Sequence, residues 1–417
     1  YERRDDPVSG RSIVVPGTFA NVPSAPVGPF AAVVAIPKGL TEAASVVFLV
    51  FLVGGAFAVV EQTGALQRLV SRLARMLADR ESIAIPVCCI TFALGGIVEN
   101  MQEEIIPFIP VLLLLSRRLG FDALTAVAMS LGAAVVGSAF SPVNPFQVGI
   151  AQKLAGLPAH SGFGFRTALL VPALAIWIIG TMRHARRIRG PVEATPGLAI
   201  DDAPADRSHL FVIVLVAATF IMVVVGILVL GWDFDQLSAM FLVMGVAAGL
   251  AAGLGLEGTA LAFVEGFRSM AGAAMLIGFA RAISVVLDEG RVLDTIVHGL
   301  FTPIAGLPVG LSAVAMTAVQ TAIHFPVPSV SGQAALTMPI LIPLADLLGL
   351  SRQLAVLAYQ LGAGLCELVT PTNGALMAIL AAAGVPFGRW IAFVSRWYAA
   401  LLALGVAGLL GGIALGV

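Results

Sequence analysis

The chain states one passage twice. Residues 101–158 and 330–386 align at a constant offset of 229, which pairs Pro110 with Pro339, Gly120 with Gly349, Ala126-Val127 with Ala355-Val356, Pro142 with Pro371 and Asn144 with Asn373. In both copies the Asn follows the Gly by 24 positions. Each copy is an apolar helical pattern cut by a polar break, Ser141-Pro142-Val143-Asn144-Pro145 in the first and Thr370-Pro371-Thr372-Asn373-Gly374 in the second. Proline removes a backbone donor and clashes with the preceding turn, so these breaks interrupt their helices. Duplicated halves with interrupted apolar helices at matching places are the signature of a secondary transporter, and the interruptions point at its binding site.

Composition fixes the environment. The chain is 59% hydrophobic and 11% charged, against about 25% charged in a soluble domain. Residues 43–60, 123–152, 208–232, 236–256, 299–345 and 397–417 carry no Asp, Glu, Lys or Arg. Runs of this kind span a bilayer as helices of about 20 residues. A polytopic, all-α membrane protein follows, with a multi-pass location in a bacterial inner membrane and lipid as its surroundings. The net charge of −1 offers no basic surface, and no nucleic-acid partner is expected. Cys88, Cys89 and Cys366 sit in apolar stretches and form no disulfide or metal framework.

Along the chain, residues 1–40 read as an extracytoplasmic polar segment, a Pro/Gly-rich loop after a missing first helix. The first repeat is expected over 41–182, with a span at 41–61, a re-entrant hairpin at 83–118, a broken helix at 122–156 and a span at 167–182. Between the first span and the hairpin, residues 65–79 read as an amphipathic interfacial helix, with Arg68, Arg72 and Arg75 opposite a leucine face. A cytoplasmic linker covers 183–207. The second repeat, 208–417, holds spans at 208–232, 236–256 and 269–287, an amphipathic counterpart at 291–300, a hairpin at 306–345, a broken helix at 352–383 and a last span at 391–417. Hairpin one is expected because its apolar pieces are short for full spans, and non-helical backbone at membrane depth survives only where protein or water covers it; hairpin two is expected as its counterpart in the second repeat. Arg80, Arg117, Arg118 and the 183–189 cluster belong in the cytoplasm. Counting crossings onward puts 288–298 outside, so the two hairpins open to opposite faces and the repeats are inverted.

The candidate site gathers at these interruptions. Freed carbonyls in a helix break, with Asn and hydroxyl oxygens, suit a hard cation such as sodium. The expected sodium ligands are Glu99, Asn100, Ser141, Val143, Asn144, Thr370 and Asn373, with sodium a coupling ion and no other cofactor. The expected substrate residues are Glu103, Glu104, Asn144, Ser329, Ser331, Gly332, Thr372 and Asn373. Ser329, Ser331 and Gly332 present a hydroxyl-rich helix N-terminus suited to a carboxylate. Glu99, Glu103 and Glu104 are carboxylates at the tip of hairpin one. Such groups within a membrane face a cavity or a partner, and they can bind a coupling ion, carry a proton, pair with a substrate ammonium, or merely cap the next helix. Glu367, just before the second break, is a weaker candidate. No Lys or Arg lies in either tip or break, which favours a zwitterionic or cationic cargo unless Arg281 or Arg352 leans in. The five His form no i,i+4 pair, no HExxH or GxSxG pattern occurs, and no enzyme is expected; His324 reads as a packed residue.

Several motifs carry a resemblance. Glu103-Glu104-x-x-Pro107-Phe108, Asp122 to Val127 (DALTAV), Val143-Asn144-Pro145-Phe146 followed by Gly149-Ile150-Ala151, and Thr370-Pro371-Thr372-Asn373-Gly374 resemble the YfcC-like family, as do Tyr1-Glu2-Arg3 and Val14-Val15-Pro16-Gly17. That family is provisionally labelled as basic amino acid antiporters and is related to the anaerobic four-carbon dicarboxylate carriers of the ion transporter superfamily. The resemblance implies an inverted-repeat, elevator-type fold, commonly a homodimer, with a scaffold and a mobile transport domain. It further implies sodium and substrate sites at the hairpin tips, around Glu103 and Ser331, and at the breaks, around Asn144 and Asn373. Hairpin one carries Glu-Asn-Met-Gln-Glu-Glu where the superfamily has Ser-Asn-Thr. The resulting expectation is a secondary active transporter for an amino acid or related small carboxylate, coupled to sodium or protons or working by exchange. A four-carbon dicarboxylate carrier is the alternative within the class, and an ion channel the alternative outside it.

Overall fold

The computed structural model describes residues 1–5, 12–15, 17–23, 25–65, 81–158, 160–188, 207–230, 232 and 234–417. The expected amphipathic helix at 65–79, Arg80, and most of the linker at 183–207 lie outside the described residues, save Ala65, the last turn of the helix that ends at Ile188, and Arg207.

The N-terminal segment departs from the expected loop. It opens with a short antiparallel hairpin of β1 (Arg3–Asp5) and β2 (Ser12–Val14), followed by α1 (Pro29–Glu42). Pro29 opens α1, where a missing N–H costs nothing, and the Ala/Val/Ile run behind it buries Ala35 and Gly39. Proline punctuation made this helix read as coil.

The first repeat continues through α2 (Ala44–Gln62), α3 (Glu81–Glu99), a 3-10 turn (Glu103–Phe108) and α4 (Ile109–Arg118). The first broken helix comprises α5 (Ala123–Val127), a π-turn (Ala128–Gly132) and α6 (Ala133–Ala139); beyond the break, a second π-turn (Pro145–Gly149) leads into α7 (Ile150–Leu154). Helix α8 (Phe163–Ile188) closes the repeat. The second repeat holds α9 (Arg207–Leu230), α10 (Phe234–Ala251), α11 (Gly255–Glu289), α12 (Leu293–Phe301), a 3-10 turn (Thr302–Gly306), α13 (Val309–His324) and α14 (Val330–Leu348). The second broken helix is α15 (Arg352–Tyr359) with a π-turn (Gln360–Gly364), and after the break α16 (Gly374–Ala382); α17 (Phe387–Leu415) ends the chain.

Six described helices are long and apolar enough to cross a membrane: α2, α8, α10, α11, α14 and α17. The span expected at 269–287 is the second half of α11, one continuous helix of 35 residues. Glu257, Glu265 and Arg268, which lie ahead of that expected span, are exposed on the surface of the helix.

Two bodies can be distinguished by what they bury. One core gathers side chains of α3 to α8 and α12 to α17. The other gathers α2, α9, α10 and α11, with Phe57, Phe241 and Met244 at its centre. Helix α11 runs along the boundary: its Ala274 and Ile277 pack into the first core, and a Cβ on Gly374 of α16 would stand 3.4 Å from Ile277 Cγ2.

Within the first body the repeats use matching devices. Gly120 and Gly349, the pair at offset 229, both adopt left-handed φ, +76° and +69°, at the ends of α4 and α14. Glycine is the usual residue there because a Cβ is penalised. Each hairpin's first helix lies directly against its own repeat's broken helix. A Cβ on Gly96 of α3 would sit 1.9 Å from the Ala134 carbonyl oxygen, and one on Gly362 would sit 2.5 Å from that of Thr317 on α13. The outer helices are tied in by indole donors: Trp177 Nε1 donates to the Ala128 carbonyl at 2.8 Å, and Trp390 Nε1 to that of Leu368 at 2.7 Å.

Candidate functional site: two helix breaks around one hairpin tip

The first break is knitted to hairpin one. Asn144 is fully buried and caps the chain beyond the break: its Oδ1 accepts from Phe146 N at 2.9 Å and Gln147 N at 3.0 Å. Its Nδ2 donates to the Gly96 carbonyl at 2.7 Å. Ser141 Oγ donates to the Ile97 carbonyl at 2.8 Å and accepts from Asn144 N at 2.8 Å and Val143 N at 3.1 Å. These bonds satisfy the donors and acceptors that proline and the break set free.

The second break repeats the plan with one difference. Asn373 caps α16 through its Oδ1, which accepts from Leu376 N at 3.0 Å, and Thr372 Oγ1 donates to the Phe325 carbonyl, at the end of hairpin two's first helix, at 2.6 Å. Thr370 Oγ1 turns back to the Cys366 carbonyl at 2.7 Å. The Asn373 amide, however, reaches out of its own repeat and donates to Gln102 Oε1 on the tip of hairpin one at 3.1 Å. On the other side of that tip, Gln147 Nε2, from beyond the first break, donates to Asn100 Oδ1 at 2.8 Å. One tip, residues 100–102, thus touches both breaks.

The tip carboxylates separate by role. Glu104 Oε2 accepts from Gln102 N at 3.0 Å, a cap on the tip's own turn. Glu103 is partly buried, within electrostatic reach of Glu104 and, from the opposite repeat, of Glu367. Glu367 is only 3% exposed; the Gln102 amide lies beside its carboxyl group, and its Oε2 has no partner. Glu99 ends α3, and its side chain lies outside the described residues.

At hairpin two, Ser329 caps α14 by accepting from Gly332 N at 3.3 Å. Val330 opens that helix, and Ser331 and Gly332 lie in its first turn. Behind them lies an amide network: Gln333 Nε2 donates to Gln320 Oε1 at 2.6 Å, and His324 Nδ1 meets Gln333 Oε1 at 2.9 Å. His324 is fully buried, as its reading as a packed residue requires.

Neither arginine named for the site reaches it. Arg281 pairs with Glu42 at 2.8 Å, and Arg352 bonds Asp346 at 2.8 Å and the Ala155 carbonyl at 2.9 Å. A buried cation, Arg166 of α8, 2% exposed, reaches the first break through one amide. Its Nε donates to Gln360 Oε1 at 3.1 Å, and Gln360 Nε2 donates to the Ser141 carbonyl at 2.7 Å. Its signal in the sequence is plain: Arg166 is the one charged residue in the apolar stretch 163–182. Gln102, Gln147 and Gln360 give no such signal, because a neutral amide announces nothing until its partner from the other repeat is known.

The chain is similar to several known proteins. The profile of a family described as C4-dicarboxylate anaerobic carrier matches residues 8–414. The YfcC protein of Escherichia coli, provisionally named a basic amino acid antiporter, is 34% identical over 382 residues, 85% of this chain and 76% of that protein. An uncharacterised Haemophilus influenzae protein is 29% identical over 412 residues, covering 95% and 80% of the two chains. Among solved structures, the Alcanivorax borkumensis YdaH transporter is similar over 100% of this chain and 94% of its own, at 17% identity and a TM-score of 0.47. Neisseria gonorrhoeae MtrF is similar over 98% and 90%, at 16% identity and a TM-score of 0.42. The chain is a multi-pass membrane protein and belongs to the C4-dicarboxylate anaerobic carrier family.

Proposed function

We propose that the protein is a secondary active transporter that moves an amino acid or related small carboxylate across the bacterial inner membrane. The observation that carries this reading is the meeting of two broken helices, one from each repeat, at the tip of hairpin one through Gln147–Asn100 and Asn373–Gln102. A site held between elements of both repeats can face either side of the membrane as those elements move. The two separately packed bodies fit an elevator-like mechanism, in which the hairpins and broken helices travel against α2 and α9 to α11. In this reading both hairpins are re-entrant and open to opposite faces, the frame helices offer the surface for a homodimer, and coupling is to sodium, to protons or to a counter-substrate.

The cargo follows from charge. Glu103 and Glu367 approach the tip, and the nearby Arg166 is occupied by Gln353, Gln360 and the Ser161 carbonyl. Acids without a free base suit a cargo carrying an ammonium group, in line with the name of the Escherichia coli relative. The N-terminus of α14, with Ser329, Ser331 and Gly332, is suited to the cargo carboxylate. The second reading, a four-carbon dicarboxylate carrier, takes its support from the family's description.

Uptake into proteoliposomes tests both. Labelled lysine and labelled succinate are offered with and without a sodium gradient, a pH gradient and internal counter-substrate. Lysine uptake driven by one of these is expected. Uptake of succinate alone favours the dicarboxylate reading, and uptake that saturates for neither solute under any gradient contradicts the transporter reading for both cargo classes.

A further inference from the structure

Glu367 is the one described acid buried to this degree, at 3% exposure. Its surroundings are fixed by a relay of amides. Asn373 Nδ2 occupies Gln102 Oε1 at 3.1 Å, and the Gln102 amide lies beside the Glu367 carboxyl group. The carboxyl oxygen Oε2 has no partner. A proton on Oε2 would not cure this, because the resulting hydroxyl would still lack an acceptor. Buried polar atoms are almost always paired, and an unpaired one in a native fold calls for an explanation. The charges around it are acids: Glu103 stands across from it on the tip, Glu104 next to Glu103, and the Cys366 thiol beside it on its own helix. Among the described residues no Lys, Arg or His forms an ion pair with Glu103 or Glu367.

We infer that Glu367 and Glu103, one from each repeat, together seat an ammonium group of the cargo, with Gln102 holding the Glu367 carboxyl group in place. The inference rests on the transporter reading above and deepens it. An ammonium group brings three donors and no acceptor, which is what an orphaned carboxyl oxygen facing a second carboxyl group lacks. A charge-assisted bond of this kind is about twice as strong as a neutral one. A hard metal cation fits less well, since it asks for a shell of several oxygens, and the Gln102 and Asn373 oxygens here are already bonded. Because the two carboxyl groups come from opposite repeats, cargo binding would draw the tip of hairpin one onto the second broken helix.

The test uses the purified full chain, wild type and the isosteric Glu367→Gln and Glu103→Gln variants. Each is titrated by calorimetry with lysine, with succinate and with sodium chloride alone, and melting temperatures are recorded. In each variant lysine affinity should fall about 10- to 100-fold, with melting temperature close to wild type and any succinate affinity unchanged. Unchanged lysine affinity in both variants overturns the inference. So does a loss confined to sodium, which would make the pair an ion site. Should Glu367→Gln fail to fold, Glu103→Gln alone decides by the same criterion. Proteoliposome uptake separates the two levels: succinate uptake with no binding of lysine overturns the ammonium seat and leaves the transporter standing, while uptake of neither solute overturns both.

Discussion

Asn373 and Gln102 lie 271 positions apart in the chain, and the amide of the first donates to the side-chain oxygen of the second at 3.1 Å. The bond joins the second repeat's helix break to the first repeat's hairpin tip, with Glu367 beside Gln102. Each of the three side chains is at least nine-tenths buried. The bond also breaks the symmetry of the repeats, since the equivalent amide on Asn144 stays within its own half and donates to Gly96.

Removing the middle of that relay should therefore act on binding more than on stability. Gln102→Ala is expected to weaken lysine binding about tenfold, the worth of one or two hydrogen bonds, and to shift the melting temperature little. Calorimetry and a thermal melt on the same sample check both. An unchanged dissociation constant would show that the relay is structural only.

Asn144 predicts the opposite emphasis. Asn144→Ala strips a helix cap that accepts from two backbone N–H groups and removes the amide that donates to the Gly96 carbonyl, which keeps only its bond from Asn100 N. A loss of about 1–3 kcal/mol in stability follows, read as a lowered unfolding midpoint in detergent. Asn144→Asp keeps the accepting oxygen and should recover part of it. If both variants melt like wild type, the break is not held by this side chain.

Close helix approach gives a third test. A methyl group at Gly96 meets the Ala134 backbone, which cannot swing away as a side chain can. Gly96→Ala should cost several kcal/mol, beyond the usual ~1–3 for an overpacked core, and deplete folded protein. Gly272→Ala on α11 has nothing within 4 Å and serves as the neutral control. Equal yields and melting points for the two would refute the tight packing of α3 on α6.

Asp122 supplies a pH prediction at the membrane edge. Burial pushes its carboxyl group up, but bonds from the His184 side chain and from Thr125 outweigh burial and hold it below the ordinary carboxylate range. A carboxyl group lowered by folding contributes stability at pH values above its unfolded value, about 4, and that contribution is lost as pH falls through the lower folded value. Asp122→Asn should melt lower at neutral pH and lose less than wild type on acidification below about pH 4. Parallel melting-temperature curves for the two proteins would contradict this.

The sequence made the repeat and the two breaks legible because their signals are local. Proline cannot sit inside a regular helix unnoticed, and the matched Gly120 and Gly349 each mark a left-handed helix end. What stayed hidden depends on packing across the repeats. The run from Phe30 to Ile36 became α1 because α11 covers it: Ala35 packs with Ala282 and Val285. The charges Glu257, Glu265 and Arg268 did not interrupt α11, because they stay exposed on it. Of the site, Glu103, Asn144 and Asn373 could be named from the breaks and tips alone. Gln102, Gln147 and Gln360 could not, since their partners lie tens or hundreds of positions away, whereas Arg166 is marked by its lone charge in the apolar stretch 163–182.

The central claim is that the hairpins and broken helices move as one body past the frame built on α11, carrying the site between them. Gly374 and Ile277 face each other across that boundary, with 4.0 Å between the position of a Gly374 Cβ and that of Ile277, within the reach of a disulfide. The most direct measurement is lysine uptake by the Gly374→Cys/Ile277→Cys double variant, with Cys88, Cys89 and Cys366 replaced, before and after oxidation. The account predicts that oxidation stops uptake while lysine binding persists, and that a reductant restores it. Uptake by the fully cross-linked protein at the rate of the reduced one would contradict the claim.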